Sequence, residues 1–95
     1  MSTVTRYKLV FFVPLEALEA CKQAIFAAGA GCYPGPGGYT ECCWTTMGTA
    51  QFRPGNTANP HIGTVGLLEE VQEVRFETLC TSLDITKAAV KALKR

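Results

Sequence analysis

YKLVFFVP, residues 7–14, is the stretch that decides the fold. It is rich in β-branched and aromatic residues, is apolar on both faces and ends at Pro14, so it predicts a central strand covered on both sides. The period then changes to that of a helix over residues 15–28, which Gly29 and Gly31 end. The apolar stripe of this helix is Leu15, Leu18, Cys21, Ile25 and Ala28.

The second half of the chain predicts two strands and a helix. Residues 39–53 alternate with period two, and Gly48 is expected to mark a bulge or a close backbone approach. Residues 71–81 predict a long strand with Val74, Phe76, Thr78 and Cys80 on one face. Asp84 is the predicted cap of the last helix, and Leu83 and Ala88 are placed to form a hydrophobic staple. The apolar stripe of this helix is Ile85, Ala89 and Ala92 or Leu93.

The resulting order, β-α-β-β-α, predicts one α+β domain over residues 1–95. It is a ferredoxin-like unit whose closing strand is absent or supplied by another chain. The usual sheet order places that missing strand beside the first strand. An unpaired YKLVFF edge is an aggregation hazard, so we expect a neighbouring subunit or further chain to cover it.

The amino-acid composition limits the classes of function that this chain is expected to have. The chain has 95 residues, is 47% apolar and carries a net charge of +1, so nothing indicates nucleic acid as a partner. No apolar run is long enough to span a membrane and no secretory signal is recognisable, so the expected compartment is the cytoplasm. Five cysteines are expected to stay reduced there, most of them as small buried hydrophobes.

A set of local strings carries a family resemblance. They are YKLVFFVP at 7–14, GAG at 29–31, Tyr39 with Cys42, GTAQFRP at 48–54, ANPHIG at 58–63 and EEVQEVRFET at 69–78. In this order they resemble the insertion domain of the YqfO-like (Nif-three-like) proteins. The resemblance implies a fold similar to CutA and to the PII signalling proteins, and a homo-oligomer, with a cyclic trimer favoured.

The departures from that family limit what is carried over. Full-length members have flanking domains with a dinuclear metal site, whereas this chain has one histidine, His61, and too few ligands for two metals. The family domain also continues into a further strand after its second helix. The CYPGPGG loop at 32–38 is unusual and reads as a flexible turn rather than a phosphate loop.

The candidate ligand-binding residues cluster around the irregular segment 48–63. Arg53, Asn59 and His61 are foremost, joined by Tyr39 and Trp44. Arg53 either holds an anion at a subunit cleft or, like Arg75, pairs with Glu73 or Glu77 across strands. Tyr39 and Trp44 either pack or line a subunit interface.

No cofactor is certain from the sequence, but a divalent metal ion is a candidate. Its ligands would be His61, Glu77 and Cys42, because imidazole, carboxylate and thiolate are the usual metal-binding groups. Adjacent Cys42 and Cys43 would face opposite sides of a strand and so would not share the ion.

The leading hypothesis is a non-enzymatic oligomeric module that binds a metal ion or small anionic metabolite at subunit clefts. The alternatives are a protein-interaction or scaffold domain, and a thiol-based redox sensor or enzyme, which requires an exposed cysteine of low pKa.

Overall fold

A computed structural model gives the architecture of residues 6–57 and 63–94. The strands are β1 (Tyr7–Val13), β2 (Trp44–Phe52) and β3 (Glu69–Cys80). A short 3-10 helix (Leu15–Ala17) leads into α1 (Leu18–Ala27), and α2 (Leu83–Leu93) closes the chain. The predicted α+β order is therefore confirmed, whereas Asn59 and His61 lie outside the described residues.

One antiparallel sheet has the order β1-β3-β2. Within residues 6–57 and 63–94 this is the ferredoxin-like order without its closing strand, and β1 is the edge at which that strand would lie. The prediction of a central β1 covered on both sides was wrong, because β3 occupies the centre and helices pack on one face only. Residues 7–12 of β1 accordingly alternate between half-buried and exposed, with Phe12 59% exposed, and Val13 is buried.

The core lies between the sheet and the two helices. The predicted buried face of β3 is confirmed, since Val74, Phe76, Thr78 and Cys80 are all buried. Phe76 stacks on Phe11 with ring centroids 4.7 Å apart. Helix residues complete the cluster, namely Ile25 from α1 and Ala89 from α2, together with Ala30.

Beyond the part of the sheet that β1 borders, the sheet continues as a two-stranded arm, residues 48–52 and 69–73. Residues 44–49 and 51 of β2 are exposed on both faces of the sheet. The molecule is elongated at 54 × 23 × 22 Å, and its radius of gyration is 16.5 Å, against about 12 Å for a compact chain of this length. The arm lengthens the molecule along the strand direction, and most of its β2 residues are exposed.

Strand β2 begins at Trp44 rather than at Tyr39 as predicted. Gly31 takes the neighbouring position beside β3, with its N–H donating to Leu79 O at 2.8 Å, and Cys42 N–H donates to Gly31 O at 2.9 Å. The chain at Cys42 is thus held outside the sheet. The bulge expected at Gly48 is also wrong, since the register passes through Gly48 opposite Glu73 without interruption.

Helix α2 is capped by Ser82 and not by Asp84. The Ser82 hydroxyl accepts a hydrogen bond from Ile85 N–H at 3.1 Å, and Asp84 lies within the first turn. Serine satisfies a free helix donor from outside the first turn, which Asp84 is too far along the helix to do.

The expectation that most cysteines are buried was wrong for the described chain. Only Cys80 is buried, Cys43 is exposed, and the remaining three are half-buried. Cys42 and Cys43 lie in the segment before β2, where no helix covers them. Neither described helix is long and apolar enough to cross a membrane.

Candidate functional site

A cavity of about 250 Å³ opens at one end of the sheet. We call it the sheet-end cavity. It is formed by the start of β1, the end of β3 and the segment that leads into β2. Its lining residues are Lys8, Tyr33, Cys42, Cys43, Trp44, Glu77, Thr78 and Leu79.

Strand register explains why these side chains meet. Lys8 lies opposite Leu79, and Trp44 lies opposite Glu77. The side chains of all four residues lie on the face of the sheet that is turned away from the helices, which we call the open face. The site is therefore built from rigid strands, with Tyr33 added by the Gly/Pro loop.

The charges of the site centre on Glu77. Its Oε2 lies 2.9 Å from Arg75 Nη1, and its Oε1 lies 3.4 Å from Lys8 Nζ. The hydrogen bond from Arg75 holds the pKa of Glu77 below its usual value, and the two positive charges add to this effect. Two cations therefore share one carboxylate, and the cluster keeps a net positive charge.

The two adjacent thiols border the same cavity. Thr78 Oγ1 donates to Cys42 O at 2.8 Å, which fixes the backbone of Cys42 against the end of β3. Cys42 Sγ lies 3.6 Å from Thr40 O. Because Cys42 and Cys43 precede β2, the prediction that they face opposite sides of a strand does not apply to them.

Of the three predicted metal ligands, the structure brings Glu77 and Cys42 to the same cavity, and His61 lies outside the described residues. Glu77 is already engaged by Lys8 and Arg75. Among residues 6–57 and 63–94, no three histidine, cysteine or acidic side chains come close enough together to hold a metal ion.

The predicted ligand-binding residues are not brought together. Trp44 lines the sheet-end cavity, whereas Arg53 follows the opposite end of β2, roughly 30 Å away at the rise of a β-strand. Arg53 Nη1 donates to Gly66 O at 3.2 Å rather than to an acidic side chain. Arg75 does pair with Glu77, although along β3 and not across strands. Tyr39 is exposed and outside the cavity lining.

Sequence reasoning missed Lys8 and Tyr33. Lys8 is the single charge within β1, and its register opposite Leu79 places it at the cavity. Tyr33 stands in the loop that was read as a flexible turn. A polar residue interrupting an apolar strand was the signal available for Lys8, whereas none was available for Tyr33.

Comparisons with known proteins place the chain among longer relatives. No protein-family model matches. The chain is 43% identical over 72 residues to a GTP cyclohydrolase 1 type 2 homolog of Mycobacterium leprae, covering 76% of this chain and 18% of that protein. It is 37% identical over 93 residues to the homolog of the same name from Halalkalibacterium halodurans, covering 98% and 24%.

A solved structure agrees with the sequence relatives. The crystal structure of a Bacillus cereus protein related to NIF3 superposes with a TM-score of 0.71 at 33% identity, over 97% of this chain and 23% of that one. The chain spans about a fifth to a quarter of the length of these proteins. In sequence and in fold, the chain resembles a segment of the Nif-three-like proteins.

Proposed function

We propose that the chain is a non-enzymatic module that assembles with further copies of itself and binds a small anionic molecule in the sheet-end cavity. The observation that carries this proposal is the cluster of Lys8 and Arg75 around the single carboxylate of Glu77 at the cavity. One positive charge of the cluster is left for a ligand.

The side chains that line the cavity favour an anion with a planar group over a small inorganic anion. Trp44 and Tyr33 supply aromatic surface on which a planar group can stack, while Lys8 Nζ is exposed enough to reach a carboxylate or phosphate. A volume of about 250 Å³ suits a compact metabolite, because pockets for drug-sized ligands start at about 300 Å³.

Assembly of several copies is supported by the apolar surface of the sheet that the helices do not cover. The open face carries Val10, Phe12 and Trp44 as exposed apolar side chains, and no residue of the arm is fully buried. A two-stranded ribbon is marginal in water by itself, so contact with other copies would stabilise it. The CutA/PII-like resemblance favours a cyclic trimer, in which such cavities would lie at subunit clefts. The free cysteines suit the reducing cytoplasm.

Trp44 is the sole tryptophan of the chain, so its fluorescence reports directly on the cavity. We expect saturable quenching when benzoate, a flat carboxylate, is titrated, and a weaker response to inorganic phosphate. Lys8→Met should weaken benzoate binding at least several-fold. Lys87→Met, which removes a lysine of α2 outside the cavity, should bind as the unaltered protein does. Equal binding by the two variants, or no saturable response to either anion, would reject the anion site.

Two other functions have an observation in their favour. Exposed Cys43 beside half-buried Cys42 favours a thiol role, which predicts labelling of Cys43 by a thiol reagent faster than that of an unstructured peptide thiol. Glu77 and Cys42 at one cavity favour a divalent metal ion as an alternative ligand. Zinc should then raise the melting temperature of the unaltered protein and leave that of Cys42→Ser unchanged.

The proposed function of this chain does not include the activity that its relatives are named for. The cyclohydrolase name belongs to proteins of which the chain covers 18% to 24%.

A further inference from the structure

The charged side chains that line the sheet-end cavity have opposite signs. Of the described residues in the lining, Lys8 is the cation and Glu77 is the anion, and Lys8 Nζ lies 3.4 Å from Glu77 Oε1. Arg75 contacts Glu77 Oε2 at 2.9 Å from outside the lining. The cavity therefore presents one positive and one negative group side by side, and neither group depends on an unpaired strand edge.

A ligand can come between Lys8 and Glu77 at little cost. The Lys8 side chain is 70% exposed, and an ion pair with an exposed partner contributes little to stability. A carboxylate has about four positions for hydrogen-bond donors, and Lys8 and Arg75 occupy two of those on Glu77. Glu77 can therefore accept a further N–H group while it keeps its contact with Arg75.

We propose that the sheet-end cavity binds an α-amino acid with an aromatic side chain, with the ligand carboxylate on Lys8 and the ligand ammonium group on Glu77. The inference rests on the proposed function and deepens it, because it names the class of anion that the cavity takes. A ligand with one group of each sign matches both charged groups of the lining. A simple carboxylate held by Lys8 would instead lie beside the negative charge of Glu77, where like charges repel.

The aromatic residues of the cavity are placed to contact the side chain of such a ligand. Trp44 lies opposite Glu77 in the β2–β3 register, and cross-strand partners have Cβ atoms about 4.5–5.5 Å apart. In phenylalanine, one methylene group separates the ring from the carbon that bears both charged groups. An ammonium group on Glu77 thus brings the ring within reach of the Trp44 indole, and two aromatic rings pack favourably. Tyr33 adds a second aromatic surface.

Ligands that differ by one charged group test the proposal on the unaltered protein. We compare phenylalanine with hydrocinnamate, which lacks the ammonium group, and with phenethylamine, which lacks the carboxylate. Each is titrated at neutral pH with the fluorescence of Trp44 as the readout. Phenylalanine should bind at least several-fold more tightly than either analogue. Equal or tighter binding of hydrocinnamate would overturn the inference, while saturable binding of benzoate would still support the anion site.

The variant Glu77→Gln tests whether Glu77 causes the preference. It removes the partner of the ammonium group and the charge that repels a simple carboxylate, so phenylalanine should bind several-fold more weakly and hydrocinnamate more tightly. Glu73→Gln, the same change on the same face of β3 but outside the cavity lining, should bind both ligands as the unaltered protein does. Lys8→Met should weaken the binding of both ligands by a similar factor.

Calorimetry measures the affinities of these variants without relying on Trp44, which adjoins the altered side chain. A Glu77→Gln protein that keeps the preference for phenylalanine would overturn the inference and leave the anion site in place. The absence of a saturable response to benzoate, hydrocinnamate and phenylalanine would overturn the proposed function together with it.

Discussion

Strand β3 runs through two environments, and the contrast between them organises the molecule. From Val74 to Cys80, every second residue is buried under α1 and α2. From Glu69 to Glu73 no residue is buried, and the half-buried residues Glu69, Val71 and Glu73 belong to the other face of the strand. Strand β2 beside them is exposed on both faces along most of its length. We refer to these parts as the covered half and the arm.

In this chain, regular pairing of two strands therefore does not require that their side chains are buried. The β2–β3 register is as regular in the arm as at its base. Each hydrogen bond within the strand pair contributes about 0.5–1.5 kcal/mol, whereas stability comes chiefly from apolar burial. The covered half therefore holds the fold, and the arm depends on it and on whatever packs against it.

The largest expected difference between the two parts is a core truncation. Phe76→Ala should lower the free energy of unfolding by about 3–5 kcal/mol, because it empties a fully buried site and removes the stack on Phe11. Met47→Ala, at the base of the arm and half exposed, should cost below about 1 kcal/mol. Urea denaturation measures both. Equal losses would mean that the arm is as well packed as the core.

Substitution of two glycines, Gly31 and Gly48, tests the same contrast between the covered half and the arm. Gly31 has φ +83°, and an added Cβ would lie 2.8 Å from Phe26 Cε1 and 2.9 Å from Cys42 N. Gly31→Ala should therefore cost about 1–3 kcal/mol. Gly48 in the arm has open space around it and no positive φ, so Gly48→Ala should be neutral or slightly stabilising. Thermal melts compare them, and a harmless Gly31→Ala would show that the loop can move away.

The cap of α2 tests which residue starts the helix that covers the sheet. Ser82→Ala should lower the free energy of unfolding by about 1 kcal/mol, since Ile85 N–H loses its acceptor. Asp84→Ala removes a favourable charge in the first turn and should cost about 0.3–1 kcal/mol. The reverse ranking in denaturant titrations would restore the sequence-based assignment of the cap to Asp84.

The smallest effect concerns Glu77, in the covered half at the cavity. Because its pKa is lowered in the folded state, it stabilises the fold above the ordinary value of 4.5, and this stabilisation is lost as pH falls through the lowered pKa. The difference in melting temperature between the protein and Glu77→Gln should thus be largest at neutral pH and vanish in acid. Arg75→Met, which removes the main cause, should shrink that difference at neutral pH, and a difference that survives acid would contradict the assignment.

The division into a covered half and an arm also explains which parts of the fold could be predicted from the sequence. In the covered half, buried residues leave a period in the sequence, so the buried face of β3 from Val74 to Cys80 was predicted. In β1 the exposed Phe12 was read as covered, because an aromatic side chain looks the same in sequence whether a helix or a partner lies over it. The start of β2 was misplaced because Gly31 occupies the place beside β3 that period two assigned to Tyr39 and its neighbours.

The candidate site was less predictable. Trp44, Glu77 and Cys42 were named from sequence, but Lys8 and Tyr33 were not, and Arg53 was grouped with residues that lie at the other end of β2. Proximity along the chain suggested the segment 48–63. Strand register instead joins Lys8 to Leu79 and Trp44 to Glu77, over separations that local patterns do not encode.

By itself, the sequence determined the order of strands and helices and the resemblance to Nif-three-like proteins. These depend on local period, on turn residues and on short motifs, which a linear chain carries directly. Only the tertiary structure decided which face of the sheet stays open, that an arm extends beyond the helices, and that Lys8 and Arg75 meet the carboxylate of Glu77 at the sheet-end cavity. Those features depend on register and on where two helices of 10 and 11 residues stop covering a strand of 12.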